Sequence, residues 1–307
     1  MLAVRDRLMC HVVWPVCRRM PVWMWVAVAY VAAVPYAIRL LLSRRWLVHG
    51  AAQTIGCDTF LHRWQLAYQM AWYRLRYLDF YFYEGVPHLK VIWPDGEPET
   101  ERCLYVLSNM HGSEAMTAFM DRHPAVMVRS VFGGEGRNTY ATAPTGFRWW
   151  GHLAEVREKC TRGRLLATNG PLMQYRKLFG DPRSVVIYQD LWHTAGRHQT
   201  SRFLGHDVPL KLGAVKLVEK CGDIPIRFVS IRPEGNTWIV RPTPRLPKER
   251  AADLIVQYME AEVLARPGAW EQWEIFLEKF VPSVVPADVA IDRPPASKVE
   301  MVGSFFD

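Results

Sequence analysis

Negative charge is nearly missing from the first 50 residues, where Asp6 is the single acidic side chain beside seven arginines. The whole chain of 307 residues carries a net charge of +8 and has a pI near 9.2. This positive charge favours an anionic partner, which could be nucleic acid, an anionic membrane surface, or an acidic carrier or substrate. The arginines surround an apolar segment instead of lying on a recognition helix, so we expect no nucleic-acid partner.

Closely spaced cysteines are also missing. The six cysteines form no CxxC pair, which argues against a zinc ribbon and a dense disulfide framework and favours a reducing cytoplasm. A different metal site is open to the segment YQDLWHTAGRH, in which Asp190, His193 and His198 could be ligands. Three such residues in one turn-rich loop are more often solvated or positioning groups. We therefore expect neither a metal nor a bound cofactor.

Residues 21 to 38, PVWMWVAVAYVAAVPYAI, form an uncharged run of 18 residues. This length is at the short edge of what crosses a bilayer core of about 30 Å, and its tryptophans and tyrosines suit the headgroup region. No signal-peptide cleavage site follows, so we interpret the run as a retained membrane anchor or a deeply seated interfacial helix. A buried soluble helix, or a kinked re-entrant segment at Pro35, remains an alternative. Arginines on both sides leave its orientation open.

The rest of the chain alternates between strand and helix patterns. Apolar runs predict strands in HLKVIWP, RCLYVLS, AVMVRSVF and SVVIYQD, and a hairpin in IPIRFVSIR and TWIVRPTP. Helical periodicity predicts helices over 52–85, 112–121, 210–222, 247–265 and 268–280. This order predicts an α/β fold with a mixed, mostly parallel sheet flanked by helices. We expect a basic segment with its anchor over 1–50, a main domain over 51–285, and a polar tail over 286–307.

A histidine follows the strand LYVL, at its junction with the next helix. His111 is well placed there as a general base, because its neutral form is available near pH 7 and the helix N-terminus could steady an oxyanion. A base of this kind needs a carboxylate to orient it, and Glu114 is the nearest candidate. The alternative is that His111 has no special role and that Glu114 caps the helix.

Three long segments resemble those of a known family. They are SVVIYQDLWHTAG, then SRFLGHDVPLKLGAVKLVEKCGDIPIRFVSIRPEGNTWIVRP, and finally ADLIVQYMEAEVLARPGAWEQWEIF. Together with the basic hydrophobic N-terminus, they resemble the bacterial lipid A biosynthesis (late) acyltransferase family of the lysophospholipid acyltransferase superfamily. The similarity extends to about Phe280.

The resemblance implies acyl transfer from an acyl carrier protein or acyl-CoA thioester to a hydroxyl or amine of a lipid, such as a lipid A precursor or related glycolipid. The signature of the family is His-x4-Asp/Glu, with His111 as the matching base. Met116 stands at the position of the acid. Glu114 is then expected to replace that acid from the first helical turn, or else the dyad is incomplete.

Further roles follow from the same resemblance. Arg129 matches an arginine that could bind a phosphate of the acceptor or donor, and Gln189 and Asp190 would shape the mouth of the pocket. An ordinary strand-end arginine and a loop-capping aspartate are the alternatives. The enzyme would lie at the cytoplasmic face of the inner membrane, where an anionic surface attracts three arginines near the anchor, Arg39, Arg44 and Arg45.

Two other interpretations remain open. The altered signature and the unusual loop GGEGRNTYATAPTGFRWWG are compatible with a non-lipid acceptor, such as a carrier-bound metabolite. The methionine at position 116 is also compatible with a degenerate protein that binds acyl chains or membranes without turnover.

Overall fold

The computed structural model describes residues 12–83, 88–94, 102–108, 110–112, 115–122, 125–129, 165–167, 182–188, 199–210, 215, 219 and 222–286. The α-helices of these residues are α1 (Trp14–Arg19), α2 (Val22–Ser43), α3 (Arg45–Thr54), α4 (Phe60–Phe82), α5 (Ala115–Arg122), α6 (Ala251–Ala265) and α7 (Trp273–Phe280). The strands are β1 (Leu89–Val91), β2 (Leu104–Leu107), β3 (Ala125–Arg129), β4 (Leu165–Ala167), β5 (Ser184–Tyr188), β6 (Gln199–Phe203), β7 (His206–Leu210), β8 (Ile226–Glu234) and β9 (Thr237–Pro242).

A mixed, mostly parallel sheet forms the centre of the described structure. Its strand order is β1-β9-β8-β2-β5-β3-β4, and β2 lies between β5 and β8, parallel to both. Within this sheet, the β8–β9 pair is antiparallel and the other described pairs are parallel. The carboxyl ends of β2, β5, β3 and β8 therefore share one edge, where functional groups of α/β proteins commonly collect. The predicted α/β architecture is confirmed at this level.

Both faces of the sheet are covered, because its strands send alternate apolar residues into two cores. Leu104 and Val106 belong to a large core that also contains residues of α2, α3, α4, α6 and α7. Tyr105 and Leu107 belong to a second core built with α5. Central parallel strands that are buried on both sides need continuous apolar sequences, and LYVL and SVVIY fit this need.

The N-terminal apolar run forms α2, the one helix of the described residues that is long and apolar enough to cross a membrane. It extends over Val22–Ser43 and continues through Pro35. Residues of α2 and α3, including Ala33, Ala37 and Leu47, belong to the same large core as β2. The predicted boundary at residue 50 falls within α3.

The prediction of one helix over 52–85 is wrong in its first part. The chain leaves α3 at Thr54 and turns at Gly56, whose φ of +72° favours glycine. Thr59 then caps a new helix by accepting a hydrogen bond from the backbone N–H of His62. Both signals, a glycine followed by a threonine cap, are visible in the sequence.

Two hairpins lie beyond the first parallel strands. The predicted hairpin of β8 and β9 is confirmed by antiparallel pairing. The hairpin of β6 and β7 was not predicted. Its two-residue turn places both Leu204 (φ 48°) and Gly205 (φ 78°) in the left-handed region, which tight hairpin turns often require.

Three predictions from the sequence fall largely or wholly outside the described residues. They are the helix over 210–222, the loop over 133–151 and the polar tail over 286–307. These three stay predictions.

Candidate active site

His111 lies just beyond the carboxyl end of β2, in the turn that leads to α5. The next residue, Gly112, has a φ of +97°, and a Cβ at this position would collide with the indole ring of Trp238. Glycine is therefore required for the chain to turn immediately after the histidine. The ring of His111 also makes an edge contact with Tyr77 of α4, with ring centroids 5.8 Å apart.

A carboxylate approaches His111 from a distant part of the chain. The Nδ1 atom of His111 lies 3.2 Å from Oε1 of Glu271, and the two side chains are 13% and 26% exposed. This is an ion-pair distance, but Nδ1 is not aligned for a hydrogen bond with any described residue. In active sites without substrate, such bonds are commonly long or poorly aligned and tighten in the substrate complex. We therefore treat the two side chains as a pair.

The segment that carries Glu271 is fixed against the turn that carries the histidine. The backbone N–H of His111 donates to the carbonyl of Ala269 at 2.7 Å, and Met110 forms a β-bridge with Trp270. Glu271 is the next residue in the chain, so its backbone position is tied to that of His111. Catalytic pairs need this kind of rigid support.

Two further contacts hold the same segment. The Arg266 guanidinium donates to the carbonyl of Ile231 at 2.8 Å and to the hydroxyl of Ser230 at 3.2 Å, both on β8. A Cβ on Gly268 would lie 2.7 Å from the backbone nitrogen of Met70, so the segment and α4 approach each other too closely for a larger residue. Burial lowers the pKa of Arg266, and the interaction with the Tyr73 hydroxyl opposes part of this effect.

An open cleft lies beside the pair, and its space of about 250 Å³ includes open solvent. Its walls come from α3, α4, the turn of His111 and the segment 268–274. The lining residues are Leu47, Met70, Arg74, His111, Gly268, Trp270, Glu271, Trp273 and Glu274. Four of these nine residues are charged or titratable, so the cleft places polar groups directly beside a small apolar wall.

One ion pair at the cleft ties it to the N-terminal helices. Arg44, at the junction of α2 and α3, donates to Oε1 of Glu274 at 2.8 Å. Arg44 is therefore engaged within the protein, which makes it a weaker candidate for contact with an anionic surface than its place in the sequence suggests.

Met116 occupies the position of the acid in the resembled signature, and it is completely buried. It lies on α5 in the second core, which also contains Leu107 and Phe119. A carboxylate in this core would be surrounded by apolar side chains, which is costly without a partner. Glu114 lies outside the described residues, so its pairing with His111 stays a prediction.

The other predicted site residues are described only in part. Arg129 is the last residue of β3, but its side chain is not among the described ones. Gln189 and Asp190 lie outside the described residues, directly after β5 in the chain. The same holds for the candidate metal ligands His193 and His198. Among the residues that the structure describes, no group of three metal-ligating side chains occurs.

A buried ion pair lies beneath the turn of His111. Asp79 accepts hydrogen bonds from Arg76 at 2.9 Å, from the Trp25 indole at 2.6 Å and from the Trp238 indole at 3.2 Å. Burial raises the pKa of Asp79, and these three donors oppose that effect. Because Trp238 also packs on Gly112, the network links α2, α4 and β9 to the turn that carries the histidine.

Sequence reasoning missed Glu271. It lies far along the chain from His111, and no local spacing relates the two. The one available signal was the segment PGAWEQWEIF, which the resemblance already marked without assigning a role to its glutamate.

Comparison with models of known protein families gives no match for this chain, and comparison with curated protein sequences gives none either.

Proposed function

We propose that the protein is a membrane-associated acyltransferase that moves a fatty acyl chain from a thioester donor to a hydroxyl or amine of a lipid acceptor. The observation that carries the proposal is the pair of His111 and Glu271, held at the end of a central strand and facing a partly apolar cleft. A histidine with a carboxylate on one ring nitrogen is the usual arrangement of a general base.

The two ring nitrogens of His111 have different roles in this proposal. Nδ1 faces Glu271, so the carboxylate favours the tautomer with the proton on Nδ1. Nε2 then carries the lone pair that accepts a proton from the acceptor. Glu271 acts as a positioning residue, because it orients the ring and stabilises the imidazolium that forms.

The reaction balances without a further reactant. Nε2 of His111 takes the proton of the acceptor hydroxyl or amine as that oxygen or nitrogen attacks the thioester carbonyl. The new C–O or C–N bond forms, and the C–S bond of the tetrahedral intermediate breaks. The departing thiolate takes the proton back from the imidazolium. The products are the acylated acceptor and the free thiol of the donor.

The donor and the location belong to the same proposal. The donor is an acyl carrier protein or CoA thioester, and the acceptor is a lipid A precursor or related glycolipid. The site of action is the cytoplasmic face of the inner membrane. The apolar helix α2 and the basic character of the first 50 residues support a location at a membrane.

The test compares wild-type protein with His111→Ala and with His88→Ala, an exposed histidine just before β1. Purified proteins in detergent receive labelled acyl carrier protein and CoA thioesters with a bacterial lipid extract, and mass spectrometry reads the products. We expect acylated lipid with wild type and His88→Ala. His111→Ala should lose roughly 10²-fold or more, the usual contribution of a positioned base.

Three results would overturn parts of this proposal. Equal activity of His111→Ala and wild type would remove the histidine from the chemistry. Thioester consumption that needs an added metabolite instead of lipid would replace the acceptor with a non-lipid one. No transfer to any acceptor would favour a degenerate protein that binds acyl chains, in agreement with the methionine at position 116.

A further inference from the structure

Exposed apolar side chains are concentrated in one part of the described structure. Of 13 exposed large hydrophobic residues that it describes, 12 fall within residues 12–61, and the remaining one is Leu264 on α6. Eight of the 12 lie on α2: Trp23, Met24, Val28, Tyr30, Val31, Val34, Ile38 and Leu42. A concentrated apolar surface of this kind marks a contact with another molecule or with a membrane.

The opposite side of α2 is packed against the protein. Ala29, Ala33 and Ala37 recur every four residues, share one side of the helix and are completely buried. Small residues at this spacing allow close approach of a neighbouring helix, which is α4. Tyr68 of α4 donates to the backbone carbonyl of Tyr30 at 3.2 Å. The exposed apolar side chains of α2 therefore form a separate face, which we call the outer face of α2.

The contacts of α2 with α4 argue against a transmembrane orientation. Trp25 donates to Asp79, whereas Tyr30, further along α2, accepts from Tyr68, which comes earlier in α4. The two helices thus pack antiparallel. Apolar residues of α4 also belong to the large core beneath the sheet. If α2 crossed the bilayer, α4 and part of this core would enter the hydrocarbon region with their charged groups, which is costly.

The charges beside the outer face favour an anionic bilayer as its occupant. No acidic residue occurs in the sequence between Asp6 and Asp58, while arginines near the ends of α2, among them Arg19, Arg39 and Arg45, are exposed. Arginines close to an anionic leaflet are attracted to it. A second copy of this chain would bring equal positive charges together. Charge thus distinguishes the bilayer from a self-contact.

We propose that α2 lies in the plane of an anionic leaflet, with its outer face in the headgroup and acyl boundary, and does not cross the membrane. This arrangement puts both ends of α2 on the same side. It also brings the cleft to the bilayer surface, since Arg74 of the cleft contacts Tyr36 of α2 and Arg44 at the end of α2 contacts Glu274. The proposal concerns attachment and does not depend on acyl transfer.

The first test measures binding to vesicles of phosphatidylglycerol and phosphatidylcholine by flotation, without any turnover assay. Val31→Asp changes a side chain that is 74% exposed on the outer face, and Leu264→Asp is the matched control, 50% exposed elsewhere. We expect at least a tenfold weaker partition for Val31→Asp and no change for Leu264→Asp. Equal partition of the two variants would overturn the proposal. The proposal would also be overturned if wild type sediments as a dimer, Val31→Asp sediments as a monomer, and both bind vesicles equally well.

The second test distinguishes an in-plane helix from a transmembrane one. Single cysteines replace Arg19 and Ser43, exposed residues before and at the end of α2, in a background whose native cysteines are serine and whose vesicle binding matches wild type. A membrane-impermeant maleimide is added outside sealed vesicles carrying the protein. Equal labelling of both positions, from the face to which protein was added, is expected. Labelling of one position, with the other reacting only after the vesicles are opened, would overturn the proposal.

Discussion

Two charge pairs occupy neighbouring parts of the protein, one in the interior and one at the cleft. Arg76 and Asp79 form the interior pair, with side chains 0% and 1% exposed, and two tryptophan indoles also donate to the aspartate. His111 and Glu271 line the cleft and are partly exposed, and Nδ1 of the histidine lacks an aligned acceptor among the described residues. The aspartate of the first pair is satisfied by several donors, whereas the second pair is poorly aligned.

This difference separates a structural pair from a reactive one. A buried network with several satisfied hydrogen bonds holds one arrangement and resists change. A partly exposed histidine in a cleft can exchange a proton with a bound molecule, and its alignment with a carboxylate can improve when the substrate excludes water. The two pairs are also connected, because Trp238 donates to Asp79 and packs on the glycine that follows His111.

Breaking the structural pair should have the largest effect on stability. Asp79→Ala leaves the Arg76 guanidinium buried without its counter-charge, and we expect a loss of about 3–5 kcal/mol in the free energy of unfolding. Urea denaturation followed by circular dichroism measures it. Asp58→Ala is the control, because this aspartate pairs with Arg63 and His49 at the surface and should matter much less. Equal losses in the two variants would contradict the contrast between buried and exposed pairs.

The connection between the pairs can be broken at Gly112. Gly112→Ala forces a Cβ into the Trp238 ring at a φ of +97°, and we expect a loss of about 2–3 kcal/mol in the free energy of unfolding together with reduced transfer. Gly56→Ala is a matched control, since Gly56 also has a positive φ (+72°) but nothing lies within 4 Å of its added Cβ. The control should lose about 1 kcal/mol from backbone strain alone. A loss in Gly112→Ala no greater than in the control would show that the Trp238 contact is unimportant.

A smaller change sharpens the role of the tryptophans. Trp25→Phe keeps an aromatic ring in place but removes the indole donor to Asp79, and we expect a loss of about 1–2 kcal/mol in the free energy of unfolding. Thermal unfolding measures it, and transfer activity should remain near that of wild type because Trp25 does not line the cleft. A large fall in activity at unchanged stability would show that this network takes part in the reaction and does not only stabilise the fold.

The smallest effect is a dependence of stability on acid pH at the surface pair. The hydrogen bond from Arg63 lowers the pKa of Asp58, with help from the charge of His49. A lowered folded-state pKa gives stability that is present above the unfolded value, about 3.9, and is lost as pH falls through the folded value. The Tm difference between wild type and Asp58→Asn should be small and positive at pH 6 and vanish in strong acid, below the folded pKa. A Tm difference that stays constant with pH would show that the ionisation of Asp58 is not the cause of the effect.

Local patterns in the sequence predicted the parts of the fold that depend on neighbouring residues. The apolar run LYVL, the histidine after it, the β8–β9 hairpin and the long N-terminal helix all follow from short stretches. The break between α3 and α4 also had local signals in Gly56 and Thr59, but the continuous aromatic pattern of 52–85 outweighed them. The β6–β7 hairpin was missed because its strands mix polar and apolar residues with weak alternation.

The candidate site depends on tertiary contacts that no local pattern contains. Glu271 reaches His111 because the Ala269 carbonyl accepts from the histidine N–H and Gly268 packs against α4. Helical spacing pointed to Glu114 instead, because it relates only residues that lie within a few positions of each other in the sequence. Likewise, hydropathy identified an apolar helix, but only its packing on α4 separates a buried side from an outer face.

The most direct test of the proposed pair compares Glu271→Gln with Glu114→Gln in the same acyl-transfer assay. Both changes remove one charge and keep the shape of the side chain. If Glu271 positions His111, its variant should lose roughly 10²-fold in transfer while Glu114→Gln stays near wild type. The reverse result, with Glu114→Gln inactive and Glu271→Gln active, would contradict the role of Glu271. It would show that Glu114, close to the histidine in sequence, is the carboxylate that positions His111.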